Sequence, residues 1–92
     1  DYNPGSCHIQ SMSFILSLAC IYMNMDIMNA IKASTFTAAR SMMLEKEIGS
    51  IEKGKYADII IWNINRVEQI PYMVTDQPIQ CVYKKGMPAF IA

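Results

Sequence analysis

The chain has one histidine, three cysteines in no C-x-x-C spacing, and no excess of either charge, with 8 Lys plus Arg against 8 Asp plus Glu among its 92 residues. Each shortage excludes something. His8 has no second histidine beside it, so no triad, no H-x-H pair and no complete metal site can be written from these residues alone. Cys7, Cys20 and Cys81 are an odd set and a poor disulfide framework, which fits a reducing cytoplasm. A pI near 6.7 and no basic run longer than Lys84–Lys85 leave no electrostatic footprint for nucleic acid. The most apolar stretch, Met12 to Met25, is broken by Ser13, Ser17 and Asn24 and falls short of the roughly 20 residues that cross a bilayer. No basic segment followed by an apolar one opens the chain, so neither a membrane nor a secretory signal is read here.

What is present is ordinary globular material, 52% apolar and 17% charged. One domain at most is expected, and a chain this short buries only about 60–65% of its unfolded surface, so a self-sufficient core would be marginal. Eight methionines fit adaptable core filling better than a soft-metal site, since no M-x-x-M pattern with His or Cys accompanies them. Turn formers Asn3, Pro4, Gly5 and Ser6 make Asp1 to Gln10 a loop. From Ser11 to Asn24 apolar residues sit nearly all round a predicted helix, so both its faces call for cover by protein. Asp26 is a predicted N-cap for a second helix through Ala33, and Thr35 or Thr37 restarts a helix through Met43. Past Glu45 the texture changes: Tyr56 to Ile64 reads as a strand covered on both faces. Gln80 to Lys84 and Pro88 to Ile91 read as a hairpin around Gly86, and Val67 to Tyr72 as a short helix or turn. The boundary lies near Lys46 to Gly49, with residues 1–48 on one side and 49–92 on the other.

Gly49 to Tyr56 reads GSIEKGKY and matches the first seven positions of the phosphate-binding G-x-x-x-x-G-K-[ST] loop. Tyr56 stands where a hydroxyl must hold Mg²⁺, and the segment follows a helix and opens a strand, the reverse of such a loop. It reads as a turn. His8 reads as a structural histidine on a loop. Asp1, Asn3, Gly5 and Ser6 put a carboxylate, an amide, a flexible backbone N–H and a hydroxyl within one turn. That set could ligate a cation and move a proton at Asp1, and bind an anion at Asn3, Gly5 and Ser6; an Asx and Pro turn uses the same residues with no ligand.

DYNPGS at Asp1 to Ser6, TFTAAR at Thr35 to Arg40, GSIEKGKYADIIIWNI at Gly49 to Ile64 and QIPY at Gln69 to Tyr72 together resemble the C-terminal part of the imidazolonepropionases of the amidohydrolase superfamily. The G-x-x-x-x-G-x-x-A-D run is shared across that superfamily, whereas D-x-N-P-G with a small hydroxyl residue points to the narrower family. The resemblance implies an α/β fold: the C-terminal end of a metal-dependent (β/α)8 barrel, plus strands of a small β-sandwich domain, the piece by itself reading as α+β. It implies hydrolysis of 4-imidazolone-5-propanoate to N-formimidoyl-L-glutamate in histidine degradation, with one Zn or Fe ion. On this pattern Asp1 matches the aspartate that ligates the metal and accepts a proton. Asn3 and Gly5 match positions at the substrate or product carboxylate, and Ser6 a hydroxyl position at the imidazolone.

The other metal-binding histidines of that family find no match here, so the 92 residues are expected to be part of a longer polypeptide and inactive alone. The rest of that polypeptide is then a partner, and a homodimer is compatible with it. Two rivals are a nucleobase deaminase of the same superfamily, which the anion-binding character of the Asn3–Ser6 loop opposes, and a small interaction domain without chemistry, which the all-round apolar helix opposes.

Overall fold

The computed structural model describes all 92 residues. Ser11 starts the first helix as an N-cap, its hydroxyl accepting from the Phe14 N–H at 3.3 Å. Helix α1 runs Met12–Ile21 and ends sooner than expected, because the chain turns at Asn24, which takes a φ of 54°. Its burial also differs from expectation. Ser13, Leu16 and Ser17 are buried, while Met12, Ile15 and Ile21 are exposed, Met12 by 58%. The narrow small-residue stripe is the packed one because it admits a close neighbour: α4 (Gln69–Tyr72) lies against it, and the Ser17 hydroxyl donates to the Pro71 carbonyl at 2.8 Å.

Asp26 caps α2 (Ile27–Lys32) as expected, its carboxylate accepting from the Met28 and Asn29 N–H groups. The helix does not stop at Ala33 and restart. It continues through a π-helical turn, Ala33–Thr37, into α3 (Ala38–Ser41). The Ser34 and Thr35 hydroxyls both donate to the Ile31 carbonyl, at 3.0 and 2.7 Å, and such side-chain competition for a helical carbonyl favours a widened turn over a regular one.

Strands β1 (Ile59–Trp62), β2 (Ile79–Lys84) and β3 (Met87–Ile91) form one antiparallel sheet in that order. The β2–β3 turn falls at Lys85 and Gly86 as expected, both at positive φ, 52° and 79°, the geometry that matches strand twist in a two-residue hairpin. β1 is shorter than the Tyr56 to Ile64 run and is not covered on both faces: Ile60 and Ile61 remain 47% and 42% exposed. Ile60, Val82 and Phe90 stand in register across the sheet, Ile60 and Phe90 both about half exposed. At the end of the strand, Trp62, with Ile64 and Val67 beyond it, packs on the small core of Leu16, Ala30 and Ile70. Helices and an antiparallel sheet joined through one core make the α+β arrangement expected of this piece.

Candidate functional site

The loop that carries Asp1, Asn3, Gly5 and Ser6 is closed on itself. The Asn3 N–H donates to the Cys7 carbonyl at 2.7 Å, and the two residues form an antiparallel bridge around a turn at Pro4, Gly5 and Ser6. Pro4 suits the first corner of such a turn because its φ is preset. Asn3 sits at the centre. Its Oδ1 accepts from the Gly5 N–H at 2.8 Å and the Ser6 N–H at 2.7 Å. Its Nδ2 donates to the Asp1 carbonyl at 2.8 Å and to Ser6 Oγ at 3.0 Å. Gly5 belongs here sterically, since a Cβ at this position would lie 3.3 Å from Asn3 Oδ1.

The structure thus brings Asn3, Gly5 and Ser6 together and ties the Asp1 backbone to them. It turns the Gly5 N–H inward onto Asn3, not outward as an anion-binding N–H would stand. Asp1 and Ser6 are exposed. No His, Cys, Asp or Glu residues gather in threes that could hold a metal.

Two contacts brace the loop that the sequence did not reveal. His8 Nε2 lies 3.1 Å from the Pro4 carbonyl. Gln77 Nε2 donates to Ser11 Oγ at 2.7 Å, joining the start of α1 to the segment before β2. Between these contacts lies a cleft of about 370 Å³, lined by His8, Gln10, Ser11, Phe14, Thr75 and Gln77 among others. Sixty-six residues separate Ser11 from Gln77, and no local pattern signals that pairing. The carboxyls with displaced pKa values lie outside the loop: the Lys55 ammonium holds Glu52 below its ordinary value, the Lys84 ammonium does the same for Asp58, and backbone hydrogen bonding lowers Glu68.

Known proteins resemble this chain in sequence and in fold. The amidohydrolase family profile matches residues 5–88. The imidazolonepropionase of Symbiobacterium thermophilum is 40% identical over 86 residues, 94% of this chain and 20% of its own length. That of Alkaliphilus oremlandii is 41% identical with the same coverage, and that of Legionella pneumophila (strain Corby) is 44% identical over 64 residues, 70% of this chain and 16% of its own. The chain therefore spans about a fifth of the length of the curated relatives it matches. Among solved structures, an amidohydrolase from Thermotoga maritima superposes with a TM-score of 0.69 at 25% identity, over 88% of this chain and 20% of that one. Sequence and backbone agree over nearly the whole chain, and it belongs to the amidohydrolase family.

Proposed function

We propose that this chain is the C-terminal part of an imidazolonepropionase, a cytoplasmic enzyme that opens 4-imidazolone-5-propanoate hydrolytically to N-formimidoyl-L-glutamate. Residues 1–48 belong, on this reading, to the end of the catalytic barrel and residues 49–92 to the small β-domain. The observation that carries it is the closed loop of Asn3, Gly5 and Ser6 tied to Asp1, in a chain about 40% identical to imidazolonepropionases along most of its length.

A Zn or Fe ion, with Asp1 as one ligand and the others upstream, would supply Lewis-acid activation of a water, lowering its pKa towards ~7. The Asp1 carboxylate accepts a proton from the water that adds to the ring carbonyl, and returns it to the ring nitrogen that leaves as the C–N bond breaks. Asn3, Gly5 and Ser6 form the substrate-binding loop, Asn3 and Gly5 bonded to each other inside the turn and Ser6 exposed on it. They are neutral, so they recognise an anion without adding positive charge that a nearby cation would repel, and each hydrogen bond to a carboxylate is worth about 1.5–3 kcal/mol.

The test is turnover of 4-imidazolone-5-propanoate by the full polypeptide that carries this chain, followed as loss of substrate and appearance of N-formimidoyl-L-glutamate. Asp1→Asn should depress kcat far more than KM and lower metal content only in part. Parental turnover in that variant would reduce Asp1 to a turn former. Activity on a nucleobase in place of the imidazolone would move the assignment to the deaminases.

A further inference from the structure

The half of the chain that carries the sheet reaches back to the start of α1. We infer that Gln77, on the segment leading into β2, is a positioning residue that acts through the Ser11 hydroxyl, so that residues 49–92 contribute to substrate affinity as well as to the scaffold. This rests on the functional reading above and adds to it a residue from the other half of the chain. The loop from Asp1 to Cys7 keeps its own shape through bonds among its own residues. Its placement is therefore decided at its two attachments, which on this reading are the polypeptide upstream of Asp1 and the stretch from His8 to Ser11.

Ser11 is where the second attachment becomes fixed. Its Oγ accepts from the Phe14 N–H at 3.3 Å and from Gln77 Nε2 at 2.7 Å, which fills both lone pairs and leaves the hydroxyl proton for Ser13 Oγ at 3.0 Å. The bond from Gln77 is the shortest of the three and the bond within the helix the longest, so the cap hydroxyl is held chiefly by a distant residue. Gln77 is itself tied to the sheet, its carbonyl accepting from the N–H of Ile79, the first residue of β2, at 2.7 Å. Ser17 Oγ donates to the Pro71 carbonyl at 2.8 Å, so the segment from Pro71 to Gln77 runs antiparallel to α1 and is pinned to it at Ser17 and at Ser11. The two pins differ. Ser17 and Pro71 are buried, whereas Gln77 is exposed. Between the pins lies the cleft of about 370 Å³, with Phe14 on one side and Val74 and Thr75 on the other, and beyond it the Gln77 amide is the bond that reaches Ser11.

Gln77→Met tests this because it keeps the length of the side chain and removes the amide. In the full polypeptide, KM for 4-imidazolone-5-propanoate should rise about 5-fold to 10-fold, the factor that about 1–1.4 kcal/mol represents, one neutral hydrogen bond. Because Asp1 lies at the other end of the loop, kcat should change by less than about 2-fold. Gln77→Asn, a methylene short of Ser11, should reproduce the effect on KM. In the Ser11→Ala background Gln77→Met should add less than about 2-fold, the hydroxyl it acts through being gone. Amide hydrogen exchange in the stretch from His8 to Phe14 should quicken in Gln77→Met and in Ser11→Ala alike. Parental KM in Gln77→Met, a fall in kcat with KM unchanged, or an undiminished effect in the Ser11→Ala background would each overturn the inference. Absence of turnover in the unsubstituted polypeptide would sink the functional reading alone; hydrogen exchange in the same variants would then decide the role of Gln77, and unchanged exchange would count against it.

Discussion

Two short polar segments of this chain are held in opposite ways. The Asp1–Cys7 loop is tied almost wholly to itself, its bonds spanning two to four residues. The Gly49–Asp58 segment is tied outward at both ends. At one end Gly49, at a φ of 95°, approaches the π-helical turn and α3 so closely that an added Cβ would stand 2.7 Å from the Ala39 Cβ and 3.1 Å from the Thr35 carbonyl oxygen. There too the Lys55 ammonium, its side chain only 11% exposed, bonds Ser50 Oγ at 2.6 Å and Glu52 at 2.8 Å and lies 5.4 Å from the centre of the Phe36 ring. At the other end Asp58 accepts from the Lys85 N–H at 2.9 Å and pairs with Lys84 at 2.7 Å, across the hairpin turn. A segment secured by local bonds can keep its shape while its neighbours change, as a ligand-binding loop must. A segment secured at both ends transmits its shape, and here it joins the helices to the sheet.

The sharpest way to break this contrast is Gly49→Ala. It combines a left-handed backbone, costing about 1–2 kcal/mol for an L residue, with overpacking of about 1–3 kcal/mol. A loss of about 2–5 kcal/mol is expected by chemical denaturation of the full polypeptide. Gly54→Ala is the internal control, with the same φ of 95° but nothing within 4 Å of its added Cβ. It should cost only the backbone part, and equal losses at both positions would remove the close approach as a cause.

Asn3→Ala should separate function from stability. Unfolding should shift by less than about 1 kcal/mol, the bonds being exposed and local, while KM for the propanoate substrate rises about 10-fold to 100-fold. An analogue without the carboxylate should be indifferent to the substitution. A large fall in stability would place the loop with the two-ended kind.

Lys55→Met keeps the aliphatic stem over Phe36 and removes the ammonium, so a loss of about 1 kcal/mol is expected from its hydrogen bonds and the ring contact. Faster proteolysis between Gly49 and Asp58 should accompany it. The smallest effect is a pH dependence. Asp58 is held below its ordinary value of 3.8, first by the Lys84 hydrogen bond and then by the Lys85 N–H. Because the folded pKa is the depressed one, the contribution is present above 3.8 and is lost as pH falls through the folded value. Asp58→Asn should flatten the fall of Tm below pH 3.8, and an unchanged acid limb would show that the pair at the hairpin is without thermodynamic weight.

Much was legible in local patterns because local chemistry decides them. Asp26 announced its cap through a carboxylate that reaches the N–H groups two and three residues on. Lys85–Gly86 announced a hairpin through its tolerance of positive φ, and Asn3–Pro4–Gly5–Ser6 a turn through the asparagine amide and the proline ring. The turn reading of GSIEKGKY likewise held, because Tyr56 and the order of helix and strand excluded a phosphate loop. Other features were settled only by distant partners. Which stripe of α1 is buried depended on α4, a contact between Ser17 and Pro71 across 54 residues, whereas composition called for cover on both faces. The continuity of the helix through Ala33–Thr37 depended on two hydroxyls competing for one carbonyl, and the need for glycine at position 49 on how closely α3 lies. The inward turn of the Gly5 N–H followed from where the Asn3 amide came to rest. Caps and turns were therefore in the sequence, since their partners are a few residues away, whereas the buried stripe and the close approach at Gly49 emerged only when segments far apart in the chain came into contact.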